Sequence, residues 1–200
     1  MKAEDVYRGV RVFVYNHDHK LQNVFVHSWE ADSFSITASN YIYEVEVKVS
    51  RSDFFNDFNK PKHHFFKSYK KGNGIYKIGQ SWRCERWPVT NKYPELKDFH
   101  IEYNNIQALT FNHKTCPNKF YFACPVGLIE LHEIPEYAGL IYVMDSGQPR
   151  EVKKAPYLHK DKAEPKDLLF EKYYWQNINQ RQKIRELEST IKHLKQKQAV

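Results

Sequence analysis

From Tyr43 to Val49 the chain alternates without a break. Val45, Val47 and Val49 are apolar, while Glu44, Glu46 and Lys48 are charged. Successive side chains of a strand point to opposite faces, so this segment lays a greasy row on one side and a charged row on the other. A helix, with its 3.6-residue period, would scatter both kinds around its axis. The segment therefore predicts a β-strand with a covered apolar face. The charged row admits two readings. One is a solvated sheet surface with a favourable acid–base ladder, since Glu46 and Lys48 are same-face neighbours. The other is a site that gathers carboxylates and a lysine.

Upstream, Glu30 and Asp32 lie two residues apart and so share a strand face. Ser39-Asn40 is turn chemistry. A simple hairpin centred there places Asp32 opposite Val47, on the wrong face for Glu46. A three- or five-residue turn, a β-bulge or a bend shifts the pairing by one and brings Asp32 level with Glu46 or Lys48. The site reading therefore demands an even register sum between the two strands. With that condition met, two carboxylates can hold a divalent cation and a lysine can hold water or phosphate. Metal-assisted phosphodiester hydrolysis uses those groups.

Downstream, Ser50 or Ser52 can cap a helix through Asp53–Phe58 that stops before Pro61. Asp53 lies in its first turn, where a carboxylate complements the helix dipole, and Asp57 shares its face at i+4. These acids read either as capping and solvation or as further groups near the site. Lys60, Lys62, His63 and His64 form a basic knot, read either as a solvated loop or as a phosphate-gripping, proton-handling group. Residues 67–114 look like an insertion. Lys70, Lys71 and other cations interleave there with Tyr69, Tyr76, Trp82 and Trp87, a pattern that suits nucleic acid or a small aromatic subdomain.

The rest supplies a frame. Val6, Val10, Phe13 and Val14 predict a helix within residues 3–16. Val24, Val26, Phe34, Ile36 and Ala38 predict strands. Lys119–Cys124, ending at Pro125, and Gly139–Met144, ending at Asp145, are near-continuous apolar runs, as in central strands covered on both sides. From about residue 165 a long helix is expected. Phe170, Tyr173, Asn177, Gln180, Ile184, Leu187, Ile191 and Leu194 follow the 3-4 spacing of a coiled-coil seam. That seam can pack on the domain, pair two subunits as a homodimer, or leave its lysines for DNA.

The formal charge is +7, and from Arg150 onward 13 Lys and Arg stand against 7 Asp and Glu, so most of the excess lies in the last quarter. An anionic partner fits this balance. No run of 18 apolar residues exists, so no membrane span is expected. Met1–Asp5 lacks the apolar stretch of a signal peptide, which makes the cytoplasm of a bacterium or phage-infected cell the expected location. Three cysteines argue against a disulfide framework.

The order Asp32, then Glu46-Val47-Lys48, then a helix and two core strands resembles the PD-(D/E)xK nuclease superfamily. The segments Tyr43–Phe54 with Asp57, Lys119–Pro125, Pro135–Val143 and Val152–His159 are similar to its bacterial and phage restriction-endonuclease-like members, including the MmcB-type DNA-repair group. No proline precedes Asp32, and neither the insertion nor the C-terminal helix has a counterpart in the short family core. The resemblance implies an α/β fold, a restriction-endonuclease-like mixed sheet flanked by helices. The nuclease-like domain would span residues 1–160 and a helical extension 161–200. It implies an endonuclease acting on DNA with Mg²⁺ or Mn²⁺. Asp32 and Glu46 would ligate the metal, with the Val47 carbonyl as a third oxygen, and Lys48 would orient the attacking water. Glu30, Glu44, Asp53 and Asp57 are second candidates, and Lys60, Lys62, His63, His64, Lys70 and Lys71 would contact nucleic acid. The alternative is a protein that keeps the fold for nucleic-acid binding or assembly without cleavage.

Overall fold

The computed structural model describes residues 1–27, 29–67, 75–78, 81–84 and 114–198. Lys70, Lys71 and most of the aromatic and basic insertion lie outside them. The chain divides into two units, Met1–Ala163 and Glu164–Val200. In the first, the elements run α1 (Ala3–Phe13), β1 (His19–Phe25), β2 (Glu30–Ile36), β3 (Ile42–Val47), α2 (Arg51–Asp57), α3 (Pro61–Lys67), β4 (Ile75–Ile78), β5 (Ser81–Cys84), β6 (Lys119–Pro125), a 3₁₀ turn (Leu131–Glu133), β7 (Ala138–Val143) and β8 (Pro149–Lys153). The second unit is one helix, α4 (Pro165–Gln198).

Six strands form one mixed sheet in the order β1-β2-β3-β6-β7-β8, and β4 pairs with β5 in a separate antiparallel ribbon. The central pairs β3/β6 and β6/β7 are parallel, and the flanking pairs are antiparallel. Parallel strands need both faces covered. α1 covers one face: Val6 and Val10 bury against Val45, Val47, Ala123, Ile141 and Val143. The helix lies directly on β7, because a Cβ at Gly9 would stand 2.6 Å from both methyls of Val143. Phe54 of α2 and Phe66 of α3 pack over Phe120, Phe122 and Leu140 on the opposite face.

The helix expected within 3–16 ends at Phe13. β2 ends at Ile36, so Ala38 belongs to a turn rather than a strand. That turn is the five-residue link Thr37–Tyr41, closed by Thr37 N–H to Tyr41 O at 3.0 Å, with Asn40 at φ 65°. Asparagine tolerates this left-handed conformation better than most residues. Among the described residues no helix is long and apolar enough to cross a membrane.

Candidate active site

The five-residue turn decides the register. Ile36 pairs with Ile42, Phe34 with Glu44 and Ser33 with Val45, an even sum. Continued by one step, this register sets Asp32 across from Glu46. The ladder stops there, and the Asp32 carboxylate replaces it: Oδ2 accepts the Val47 N–H at 2.8 Å. Asp32 is thus held at the opening between β2 and β3. Lys48 N–H turns to the other neighbour and donates to Ala123 O at 2.9 Å, which fixes the end of β3 against β6.

The alternation of β3 sends Glu44, Glu46 and Lys48 to the face covered by α2 and α3. All three are buried. Glu44 accepts Trp29 Nε1–H at 3.0 Å on both oxygens and meets Lys62 Nζ at 3.3 Å. Lys62 also contacts Glu46. Lys48 Nζ stands 3.4 Å from Glu46 and 3.0 Å from Asp57, and reaches the exposed Asp53 at 3.6 Å. Lys60, half exposed, pairs with Asp57 at 2.5 Å and approaches Glu46 at 3.8 Å.

Asp57 connects this cluster to the core. It is presented by α2, whose start is capped by Ser50 Oγ accepting the Asp53 N–H. Its Oδ2 stands 2.7 Å from His63 Nε2, and His63 Nδ1 lies 2.9 Å from the Tyr137 hydroxyl. Burial holds the imidazole down at about 4, so it is neutral near neutral pH. An ionised carboxylate only accepts, which places the ring proton on Nε2 and leaves Nδ1 to accept from Tyr137. The ring lies 10° from parallel to Phe122. A continuous buried chain thus runs Tyr137–His63–Asp57–Lys48–Glu46.

The electrostatics follow from burial set against charge. Burial, then the charge of Glu46, raises Asp32 to about 6. Burial raises Glu44 to about 7, despite Lys62 beside it. Glu46 is also opposed by burial, but Lys62 foremost, with Lys60 and Lys48, outweighs it and holds the carboxyl below its usual range. Lys48 is raised: Asp57 and Glu46 overcome its desolvation, so it stays an ammonium. From α1, the half-buried Tyr7 hydroxyl donates to Asn23 Oδ1 at 3.2 Å. Burial, then the charge of Asp32, pushes it well above the usual phenol range.

Glu44, Glu46, Lys48, Asp53 and Asp57 thus meet in one ion-paired cluster with Lys62. Asp32 borders it through its bond to the Val47 amide. Glu30, exposed at the start of β2, stays outside it. Two of the expected surface cations need correcting. Lys62 and His63 are buried, so they do not face a phosphate in solution. A helix starting at Pro61 puts residues 62, 63 and 66 on its inner face, and the acids of β3 supply the counter-charge. Of the basic knot, Lys60 remains exposed and reachable. The His64 side chain, like those of Lys70 and Lys71, lies outside the described residues. The sequence reading missed Trp29 and Tyr137. The Pro61 helix start and the inward Phe66 were the signals that could have turned Lys62 and His63 inward.

No family model and no curated protein matches the chain. Among solved structures, it is similar to the SPO1766 protein of unknown function from Silicibacter pomeroyi. That likeness has a TM-score of 0.53 at 14% identity and covers 94% of each chain. At this identity it bears on the fold alone.

Proposed function

We propose that residues 1–163 form a metal-dependent nuclease acting on DNA, with a restriction-endonuclease-like form of this mixed sheet. The observation that carries the reading is the even register of β2 and β3. It opens the ladder at Asp32 with Glu46 across from it and Lys48 one pleat further on.

The donor set suits a hard cation. Asp32 and Glu46 would be oxygen ligands, and a dication between them would relieve the repulsion that helps raise Asp32. In the cluster as a whole, five carboxylates (Asp32, Glu44, Glu46, Asp53, Asp57) face three ammoniums (Lys48, Lys60, Lys62). Among the described residues no group of three or more His, Cys, Asp or Glu is arranged for a metal. Asp32 and Glu46 would therefore hold the ion together with the Val47 carbonyl and water, as Mg²⁺ accepts from one or two carboxylates. When bound, Mg²⁺ or Mn²⁺ supplies Lewis acidity and an activated water.

The protein's own residues do the rest. Lys48 is kept charged, so its part is to orient water or offset charge on the phosphate, not to take a proton. Asp57 holds the Lys48 ammonium at 3.0 Å, and His63, clamped between Asp57 and Tyr137, fixes that carboxylate. Exposed Lys60 is placed to meet a phosphate.

One observation favours a second reading. Lys62 already neutralises Glu46 from within, which suits a protein that keeps the fold for nucleic-acid binding or assembly. Nicking of supercoiled DNA by the full chain with Mg²⁺ or Mn²⁺ separates the two. Cleavage is expected, with a loss of about 100-fold in Lys48→Ala while its melting stays cooperative. DNA binding with no cleavage under either metal would replace the first reading by the second.

A further inference from the structure

We infer that α4 pairs with α4 of a second copy of this chain as a parallel, two-stranded coiled coil. The inference is independent of the nuclease reading. α4 runs unbroken through the whole seam predicted from the sequence, and the apolar side chains in the later half of that seam are exposed. Ile184, Leu187, Ile191 and Leu194 are 51–55% exposed, one after another along one face. An isolated helix gains nothing from such a stripe. A matching helix buries it.

The seam specifies the partner and its direction. Its a positions include Ile184 and Ile191, and its d positions Leu187 and Leu194. β-branched residues at a with leucine at d favour two parallel strands. Asn177 occupies another a position. In a parallel, in-register pair it meets Asn177 of the second copy, amide to amide. In an antiparallel pair it would face the apolar end of the seam and leave its amide unpaired.

The flanking charges agree. Lys183 stands at g and Glu188 at the e position of the next heptad, the two sites that meet across a parallel dimer. Each helix supplies both members, so two cross-pairs form. Within one helix Lys183 makes an exposed contact to Glu186 at 3.4 Å, which it can exchange at no great cost. Asn177 and Gln180 are polar layers, so the pair rests on few apolar ones and dissociates on dilution.

Sedimentation of the full chain over roughly 1 to 100 µM tests this. A monomer–dimer equilibrium is expected. A chain that stays monomeric throughout, or forms a larger assembly, overturns the inference. Lys183→Glu or Glu188→Lys alone should weaken the dimer about tenfold, and the two together should restore it. Singles that leave the dimer unchanged, or a double swap that fails to restore it, overturn the pairing. For direction, Leu194→Cys in a Cys84→Ser background should cross-link to itself under mild oxidation, since Cys116 and Cys124 are buried. A dimer without that cross-link is antiparallel or out of register, and contradicts the inference.

Discussion

β3 lends one row of side chains to each face of the sheet, and the two faces are built from opposite materials. On the α1 side, Val45 and Val47 join valines, two alanines, an isoleucine and the ring of Tyr121 in an apolar layer. On the α2/α3 side, Glu44, Glu46 and Lys48 meet Asp57, Lys62 and His63. Glu44, Glu46 and Lys48 are as buried as Val45 and Val47, while Val49, past the end of the strand, is exposed. The apolar layer gains roughly 25 cal/mol for each Å² of apolar surface it removes from water. The charged layer loses hydration that its ion pairs at best offset. A chain selected for stability alone would have two dry faces. Keeping one of them charged makes sense when the charges act on something outside the fold.

The comparison can be broken by removing one charge and then its partner. Lys62→Met leaves Glu44 and Glu46 without their shared cation, so a loss of about 3 kcal/mol or more is expected in urea unfolding. Glu44→Leu combined with Lys62→Met removes both partners, while Glu46 keeps Lys48 and Lys60. Its stability should return close to that of the unaltered protein. A double variant as unstable as the single would mean that the charged layer contributes to stability as the dry one does.

A smaller effect sharpens the same contrast through pH. His63 is neutral in the fold, lowered from 6.5 to about 4. Between those values the unfolded chain binds a proton that the folded chain refuses, so folding loses stability as pH falls from 6.5 to 4. The full extent is about 3 kcal/mol. Glu44 and Asp32, both raised, act with the opposite sign over part of that range. The useful quantity is therefore the difference between the unaltered protein and His63→Gln, which carries every group but the imidazole. That difference should shrink in favour of His63→Gln as pH falls, and equal slopes would remove His63 from the buried chain.

The sequence announced the division of labour along β3, because a period of two in six consecutive residues leaves little freedom. It also set the condition on register, though not which device would meet it. Loop length follows from where β2 ends, and Thr37-Ala38 can continue a strand as readily as turn away. The inward placement of Lys62 and His63 was hidden for another reason. Locally, Lys60-Pro61-Lys62-His63-His64 is a polar knot, and what draws it inside is the set of acids on β3, at Glu44 and Glu46. The Asp57–His63–Tyr137 chain likewise joins residues up to 80 positions apart, beyond any local pattern. The heptad seam of α4 was legible because it is a property of one helix.

If the charged face holds a cation, calorimetric titration of the full chain with Mn²⁺ at pH 7.5 detects it directly. One ion bound per chain is expected, with binding lost in Glu46→Gln and in Asp32→Asn while both variants still unfold cooperatively. No binding by the unaltered protein, or equal binding by the three proteins, would contradict a cation site on that face.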